Sequence, residues 1–278
     1  MIELFHESCE ACSKLVTNNY STSFSLGIKM FAKELRQPIH NIYGFVRFAD
    51  EIVDTFHEHD KELLSKEFRK DTMSALDRGL SLNPILHAFQ RTVLEYGIDR
   101  SLITAFLDSM DMDLYKTTFD QAEYEKYIYG SAEVIGLMCL KVFVNGDNTE
   151  YKKLSPAARQ LGSAFQKINF LRDISSDYHE RGRVYFPEVD FNSFDSNSKL
   201  DIEKGIQDEF DLALDGIRNL PQGAKLGVYV AYKYYTRLLK KIQKCTAAEV
   251  REQRIRVGDS HKLLLLSTSA LKYQLRAI

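Results

Sequence analysis

Apolar residues recur along most of this chain at spacings of three and four, the period that gathers them on one face of an α-helix. That rhythm predicts helices over 2–16, 21–31, 34–56, 60–80, 85–96, 99–112, 123–144, 156–178, 199–219, 222–244 and 261–275. The breaks between them have turn-like composition, at VNGDN (144–148), YFPEVDFNSFDSNS (185–198) and NLPQG (219–223). None of these reads as a linker between domains, and no fixed-period repeat or low-complexity tract interrupts the pattern. The expectation is one all-α domain spanning residues 1–278.

Composition narrows the picture further. With 44% hydrophobic residues in 278, the chain can bury a large core. Lys plus Arg number 37 against 39 Asp plus Glu, a balance that argues against nucleic acid as the main partner and makes any charge-based chemistry local. No leader-like segment opens the chain and no apolar run approaches the roughly 18 residues of a membrane span, so the expected location is the cytoplasm. Cys9 and Cys12 form a CEAC without a second pair or histidines at zinc spacing, and are read as packing thiols. His57 and His59, two apart in TFHEHD, are assigned to the surface.

Two helices break their own polarity in the same way. In LGSAFQKINFLRDISSD, Gln166, Asn169, Asp173 and Asp177 fall within an arc of roughly 80° at 100° per residue, among apolar neighbours Phe165, Ile168, Phe170, Leu171 and Ile174. In IYGFVRFADEIVD, Tyr43, Arg47, Asp50 and Asp54 share one face of an otherwise apolar helix. Each helix therefore carries an aspartate pair one turn apart with an arginine nearby, Arg47 on the first and Arg172 on the second. A solvated stripe with intrahelical salt bridges would look similar. Carboxylates on buried helices, however, are costly unless paired or bound to a cation. Hard Mg²⁺ takes oxygen ligands and shares them with phosphate, and arginine supplies a planar fork for phosphate oxygens, so facing pairs would make a cradle for a metal-bound diphosphate.

At this point the chain resembles the squalene/phytoene synthase family of head-to-head prenyl transferases, over nearly its whole length. The first aspartate motif of the family is similar to ADEIVD (Asp50, Glu51, Asp54), the second to NFLRDISSD followed by RGRVYFP, the SF signature to STSF (21–24), and the central-helix motif to YIYGSAEVIG (127–136). The resemblance implies the all-α isoprenoid synthase fold, with a central cavity and the aspartate pairs facing at its mouth. It implies Mg²⁺, with Mn²⁺ as a substitute, held by Asp50, Asp54, Asp173 and Asp177 with Asn169 assisting. It further implies diphosphate contacts from Arg47, Arg172 and Gln166, joined by Tyr20 and Ser23 of the SF region. Tyr43 and Tyr129 would handle a proton or steady a carbocation. By the same analogy Tyr234, Arg254, Arg256 and Lys262 would close around the second diphosphate, and Arg181 and Arg183 would form a flexible flap over phosphate.

Two positions depart from the family pattern. Tyr20 stands where many relatives carry histidine, and Glu133 follows Ala132 where the central motif usually reads AG. The glutamate needs a partner that the sequence does not name. Neither departure touches the four aspartates, so both bear on substrate detail more than on reaction class. Gly27 and Ile28 continue the helix face below Phe24 and point to a deep tunnel. With overall similarity to bacterial carotenoid-pathway members, and without the C-terminal membrane anchor of eukaryotic squalene synthases, the expected reaction is phytoene formation from two geranylgeranyl diphosphates. The alternatives are squalene or dehydrosqualene formation from farnesyl diphosphate, with NADPH in the squalene case, and a non-catalytic relative that would have broken aspartate pairs. Lipid substrates and product add an expectation of loose peripheral contact with the inner face of the membrane. Oligomeric state is open.

Overall fold

The computed structural model describes residues 1–187, 189, 191–258, 268–269 and 273, with the side chains of Thr22, Ser23 and Asn192 outside the description. Helices α1 (Ile2–Tyr20), α2 (Thr22–Ile28), α3 (Lys33–Asp54), α4 (Lys61–Arg78), α5 (Pro84–Tyr96), α6 (Arg100–Tyr115) and α7 (Gln121–Ile128) lead into a π-helical turn, Tyr129–Glu133. Then follow α8 (Val134–Phe143), α9 (Asn148–Arg181), α10 (Ser196–Asn219), α11 (Gln222–Ile242) and α12 (Ala247–Glu252). Among the described residues β-structure is limited to one isolated bridge, Thr118 to Val184. No described helix is long and apolar enough to cross a membrane.

Side-chain caps set most helix starts. Asp60, Asn83, Asp99, Asp147 and Asp195 each accept from backbone N–H groups of the first turn, while Asp120 with Glu123 and Thr246 with Glu249 form reciprocal capping boxes. These caps explain two departures from the apolar period. Capped by Asp147, α9 begins a full eight residues before Pro156 and carries that proline in its interior, where 156 had been expected as the start. The six-residue α12 was not anticipated, because one and a half turns show no period. The helix expected over 261–275 lies largely outside the described residues.

α3 runs through the middle of the molecule, packed on α1, α4, α5, α6 and α8. Its buried face carries Leu35, Ile39, Ile42, Phe45, Ala49, Ile52 and Val53. Phe45 stacks on Phe89 with ring centroids 3.9 Å apart and meets Phe106 at 5.3 Å. Such packing fixes the helix's rotation, and so the direction of its polar face. α9 lies between α10 and the α8 layer. Close approach there depends on missing side chains: a Cβ on Gly162 would sit 2.8 Å from the Ala132 carbonyl oxygen, and one on Gly130 would run into Ala105 and Ser109 of α6. The π turn forms at that crowded contact and divides the helix expected over 123–144.

Candidate active site

The polar faces of α3 and α9 meet through arginines at the C-terminal end of α9. Arg181 reaches both aspartate pairs, its Nη1 3.2 Å from Asp177 Oδ1 and its Nε 3.4 Å from Asp54 Oδ1. Arg183 Nη1 also stands 3.4 Å from Asp54 Oδ1. Asp173 is forked by its neighbour Arg172, at 2.9 and 2.5 Å, and receives Arg254 Nε at 2.8 Å from the far end of the chain. On α3, Arg47 Nη1 lies 2.5 Å from Asp50 Oδ2, its Nη2 pairs with the buried Glu51, and its guanidinium covers the Tyr20 ring at 4.5 Å. The two aspartate pairs thus form one cluster interleaved with guanidinium groups.

That cluster is under electrostatic load. Burial, and then the neighbouring Asp54 carboxylate, push Asp50 up to about 6. Burial, then Asp173, push Asp177 up to about 7, even with Arg181 and Arg183 pulling the other way. Asp54 and Asp177 also sit in the last turns of their helices, where backbone carbonyls make the local potential negative. Burial is the larger cause at both Asp50 and Asp177, so ionising them is costly even with arginines in contact.

Beside the cluster opens a cavity of about 500 Å³. Gln166, Arg172, Tyr234 and Tyr235 line its polar end, and Phe24, Gly27, Ile28, Phe31, Ile135 and Phe143 represent the apolar remainder. A deep greasy pocket with a few convergent polar groups at one end suits a ligand with an apolar tail and an anionic head.

The expected site residues divide on inspection. Asp50, Asp54, Asp173, Asp177, Arg47, Arg172, Asn169, Gln166, Arg181 and Arg254 belong to the cluster or its rim. Tyr43 stacks on the cavity residue Phe24 at 4.8 Å, and burial raises its hydroxyl pKa. Tyr129 is absent from the described lining residues; its ring packs under Arg159 at 5.3 Å. The same Arg159 is the partner Glu133 required, with Nε 2.5 Å from Oε2. Arg183 corrects the flap expectation: it is buried and tied to fixed groups, whereas Arg181 is partly exposed but pinned between two carboxylates. Arg256 is exposed and contributes its carbonyl oxygen to Lys241 at 2.5 Å. Lys262 and the Ser23 side chain lie outside the described residues.

Sequence reasoning passed over Tyr235, whose hydroxyl donates to Asn169 Oδ1 at 3.3 Å while the neighbouring Tyr234 was chosen. The signal was its place four residues after the cavity-lining Ala231. It also passed over Asp113, an acid embedded in the apolar face of α6.

Among the described residues no three acidic, imidazole or thiol groups converge as a preformed metal cage; guanidinium groups separate the carboxylates. The donor set nevertheless fits a hard dication. Asp50, Asp54, Asp173 and Asp177 offer only oxygen, Asn169 adds an amide oxygen, and a dication would offset the cost of ionising the buried carboxyls of Asp50 and Asp177.

Sequence comparison decides the family. Residues 17–260 match the squalene/phytoene synthase model. The chain belongs to the squalene/phytoene synthase family. A phytoene synthase of Arthrospira platensis is 27% identical, with 96% of this chain and 93% of the relative aligned. A 4,4'-diapophytoene synthase of Staphylococcus haemolyticus is 22% identical over 86% of this chain and 88% of its own. Among solved structures, a dehydrosqualene synthase in complex with a ligand superposes with a TM-score of 0.82 at 18% identity, covering 98% of each chain. Family membership makes the chain a head-to-head prenyl transferase acting on prenyl diphosphates, and the structural likeness gives it the all-α isoprenoid synthase fold.

Proposed function

We propose that this chain is a phytoene synthase, joining two geranylgeranyl diphosphates at their C1 ends with Mg²⁺ held by Asp50, Asp54, Asp173, Asp177 and Asn169. The observation that carries the reading is a cavity with an apolar body beside a cluster of interleaved carboxylates and guanidinium groups. Similarity to the Arthrospira platensis phytoene synthase along nearly both full lengths supports the C20 substrate. So does the space at Gly27, which lines the cavity and where an added Cβ would meet nothing within 4 Å.

Bound Mg²⁺ would neutralise diphosphate and make it a better leaving group. The chain's own part is to orient and to exclude water. Arg172 and Arg254, already on Asp173, and Arg47 beside Asp50 stand where they can turn to a departing diphosphate's oxygens. As the C1–O bond breaks, the electron pair leaves with diphosphate and an allylic cation remains in the apolar body. The double bond of the second substrate attacks that carbon, and loss of a proton closes a cyclopropane. The cyclopropylcarbinyl diphosphate then ionises in turn, and rearrangement with loss of another proton yields the linear hydrocarbon. Tyr43, neutral and stacked beside the cavity, is the hydroxyl placed to shield or relay charge.

The test is incubation of purified protein with geranylgeranyl diphosphate and Mg²⁺, and separately with farnesyl diphosphate with and without NADPH, with hydrocarbons identified by mass spectrometry. Phytoene from the C20 substrate without NADPH is expected, and Asp50→Asn and Asp173→Asn variants that fold normally are expected to lose it. A C30 product from farnesyl diphosphate alone would keep the chemistry and replace the substrate.

A further inference from the structure

Asp113 lies in α6, outside both aspartate pairs, and is buried with a thicket of partners. The Tyr127 hydroxyl donates to its Oδ2 at 2.7 Å and the Tyr185 hydroxyl to its Oδ1 at 3.2 Å. Arg183 Nη1 stands 3.6 Å from the same Oδ1, and Arg183 Nη2 donates to the Asp113 backbone carbonyl at 2.7 Å. Nη1 of that guanidinium also approaches Tyr185 Oη at 3.2 Å and Asp54 Oδ1 at 3.4 Å. The Nη1 of a single arginine thus stands between the Asp113 carboxylate and an aspartate of the mouth, while its Nη2 is tied to the Asp113 backbone.

The backbone around Arg183 is held as firmly as its side chain. α9 is capped by Gly182, whose φ of +66° turns the chain in the left-handed region. The turn lets Arg183 N–H donate to the Asp177 carbonyl at 2.9 Å and Val184 N–H to the Thr117 carbonyl at 2.8 Å. Tyr185 then stacks on Phe170 of α9 with centroids 4.0 Å apart and planes 7° apart. Burial alone would strip the Arg183 charge, yet Asp113, Tyr185 and Asp54 outweigh it and raise its pKa.

Asp54 needs such a partner. It is the last residue of α3, followed by an exposed turn, and its carboxylate faces the negative end of the helix. Free to swing, Arg183 would follow a bound diphosphate or fold onto Asp177. Anchored by Asp113, it presents a stationary positive charge to one oxygen of Asp54.

We propose that Asp113 is a positioning residue for the metal-diphosphate site: itself held by the Tyr127 and Tyr185 hydroxyls, it anchors Arg183 and so orients the Asp54 carboxylate to receive a divalent cation. This rests on the reading of the site given above. The competing account is a buried ion pair that only holds α6 to the end of α9.

Calorimetric titration of the intact chain with Mg²⁺ and inorganic pyrophosphate tests it without requiring turnover, alongside thermal melting of every variant. Asp113→Asn keeps the shape and removes the charge; with the fold intact, it is expected to weaken Mg²⁺-pyrophosphate binding by about tenfold or more, the usual effect of losing an outer partner of a metal ligand. Arg183→Lys should weaken it comparably, and the double variant little further, because the two act as one unit. Wild-type binding by a folded Asp113→Asn with a lowered melting temperature would leave only the structural ion pair. Should Asp113→Asn not fold, Tyr127→Phe and Tyr185→Phe carry the test, each expected to weaken binding about fivefold, one hydrogen bond's worth; unchanged binding in both overturns the proposal. Failure of the wild type to bind Mg²⁺-pyrophosphate also overturns it. Binding by the wild type without hydrocarbon from any prenyl diphosphate would instead sink the proposed reaction and leave this inference standing.

Discussion

The Tyr235 hydroxyl donates to Asn169 Oδ1 at 3.3 Å, tying α11 to the oxygen stripe of α9. The ring of Tyr235 is itself held, stacked on Phe165 at 4.0 Å. Asn169 therefore meets any ligand with its amide already oriented. Tyr235→Phe should raise the Mg²⁺ concentration for half-maximal activity about fivefold, the worth of one hydrogen bond near 1 kcal/mol, while Tyr234→Phe leaves it unchanged. A Mg²⁺ titration of product formation checks both; equal effects would return the role to Tyr234.

Cavity depth next to α2 should control chain length. Gly27→Leu places a side chain in open cavity space without a backbone clash. The expected outcome is a fall of about tenfold or more in the kcat/KM ratio of geranylgeranyl to farnesyl diphosphate, from the 1–3 kcal/mol that overfilling a pocket costs. Competition between the two substrates with product analysis reads that ratio directly.

Metal binding should release protons. With Asp50 held at about 6 and Asp177 at about 7, part of the cluster is protonated in the metal-free protein at neutral pH, and a cation binds the ionised form. Affinity for Mg²⁺ should therefore fall as pH drops from 7 towards 6. The same shifts act on folding with a definite sign: these folded values exceed the unfolded 3.8, so the metal-free protein binds protons the unfolded chain has lost and becomes less stable as pH rises between about 4 and 7. Calorimetry in buffers of different ionisation enthalpy counts the released protons; a buffer-independent heat would contradict the expectation.

His40 should act in the opposite direction. It is buried at 6% exposure with Nδ1 unpartnered, and burial, then Lys14, depress it to about 4. Between pH 6.5 and 4 the unfolded chain binds a proton that the native state refuses, so stability is lost as pH falls through that window. The limit of the effect is about 3 kcal/mol. His40→Leu should flatten that slope in urea unfolding measured at successive pH values, and an unchanged slope would show that His40 does not set it.

Periodicity and composition alone determined the helical class, nearly every helix, and the two polar stripes that carry the aspartate pairs. Local order suffices there, because a residue's face on a helix follows from its position and the caps lie within a few residues of the ends they serve. The tertiary structure decided which distant groups meet. No spacing rule relates Arg254 to Asp173, Arg159 to Glu133, or Arg183 to Asp113 and Asp54, since each pair depends on the relative placement of segments far apart in the chain. The π turn is of the same kind, arising where α7 and α8 pass close to α6 and α9, and so is the contact of the Tyr129 ring with Arg159. Adjacent tyrosines on α11 point about 100° apart, and only packing against α9 selected Tyr235 for Asn169.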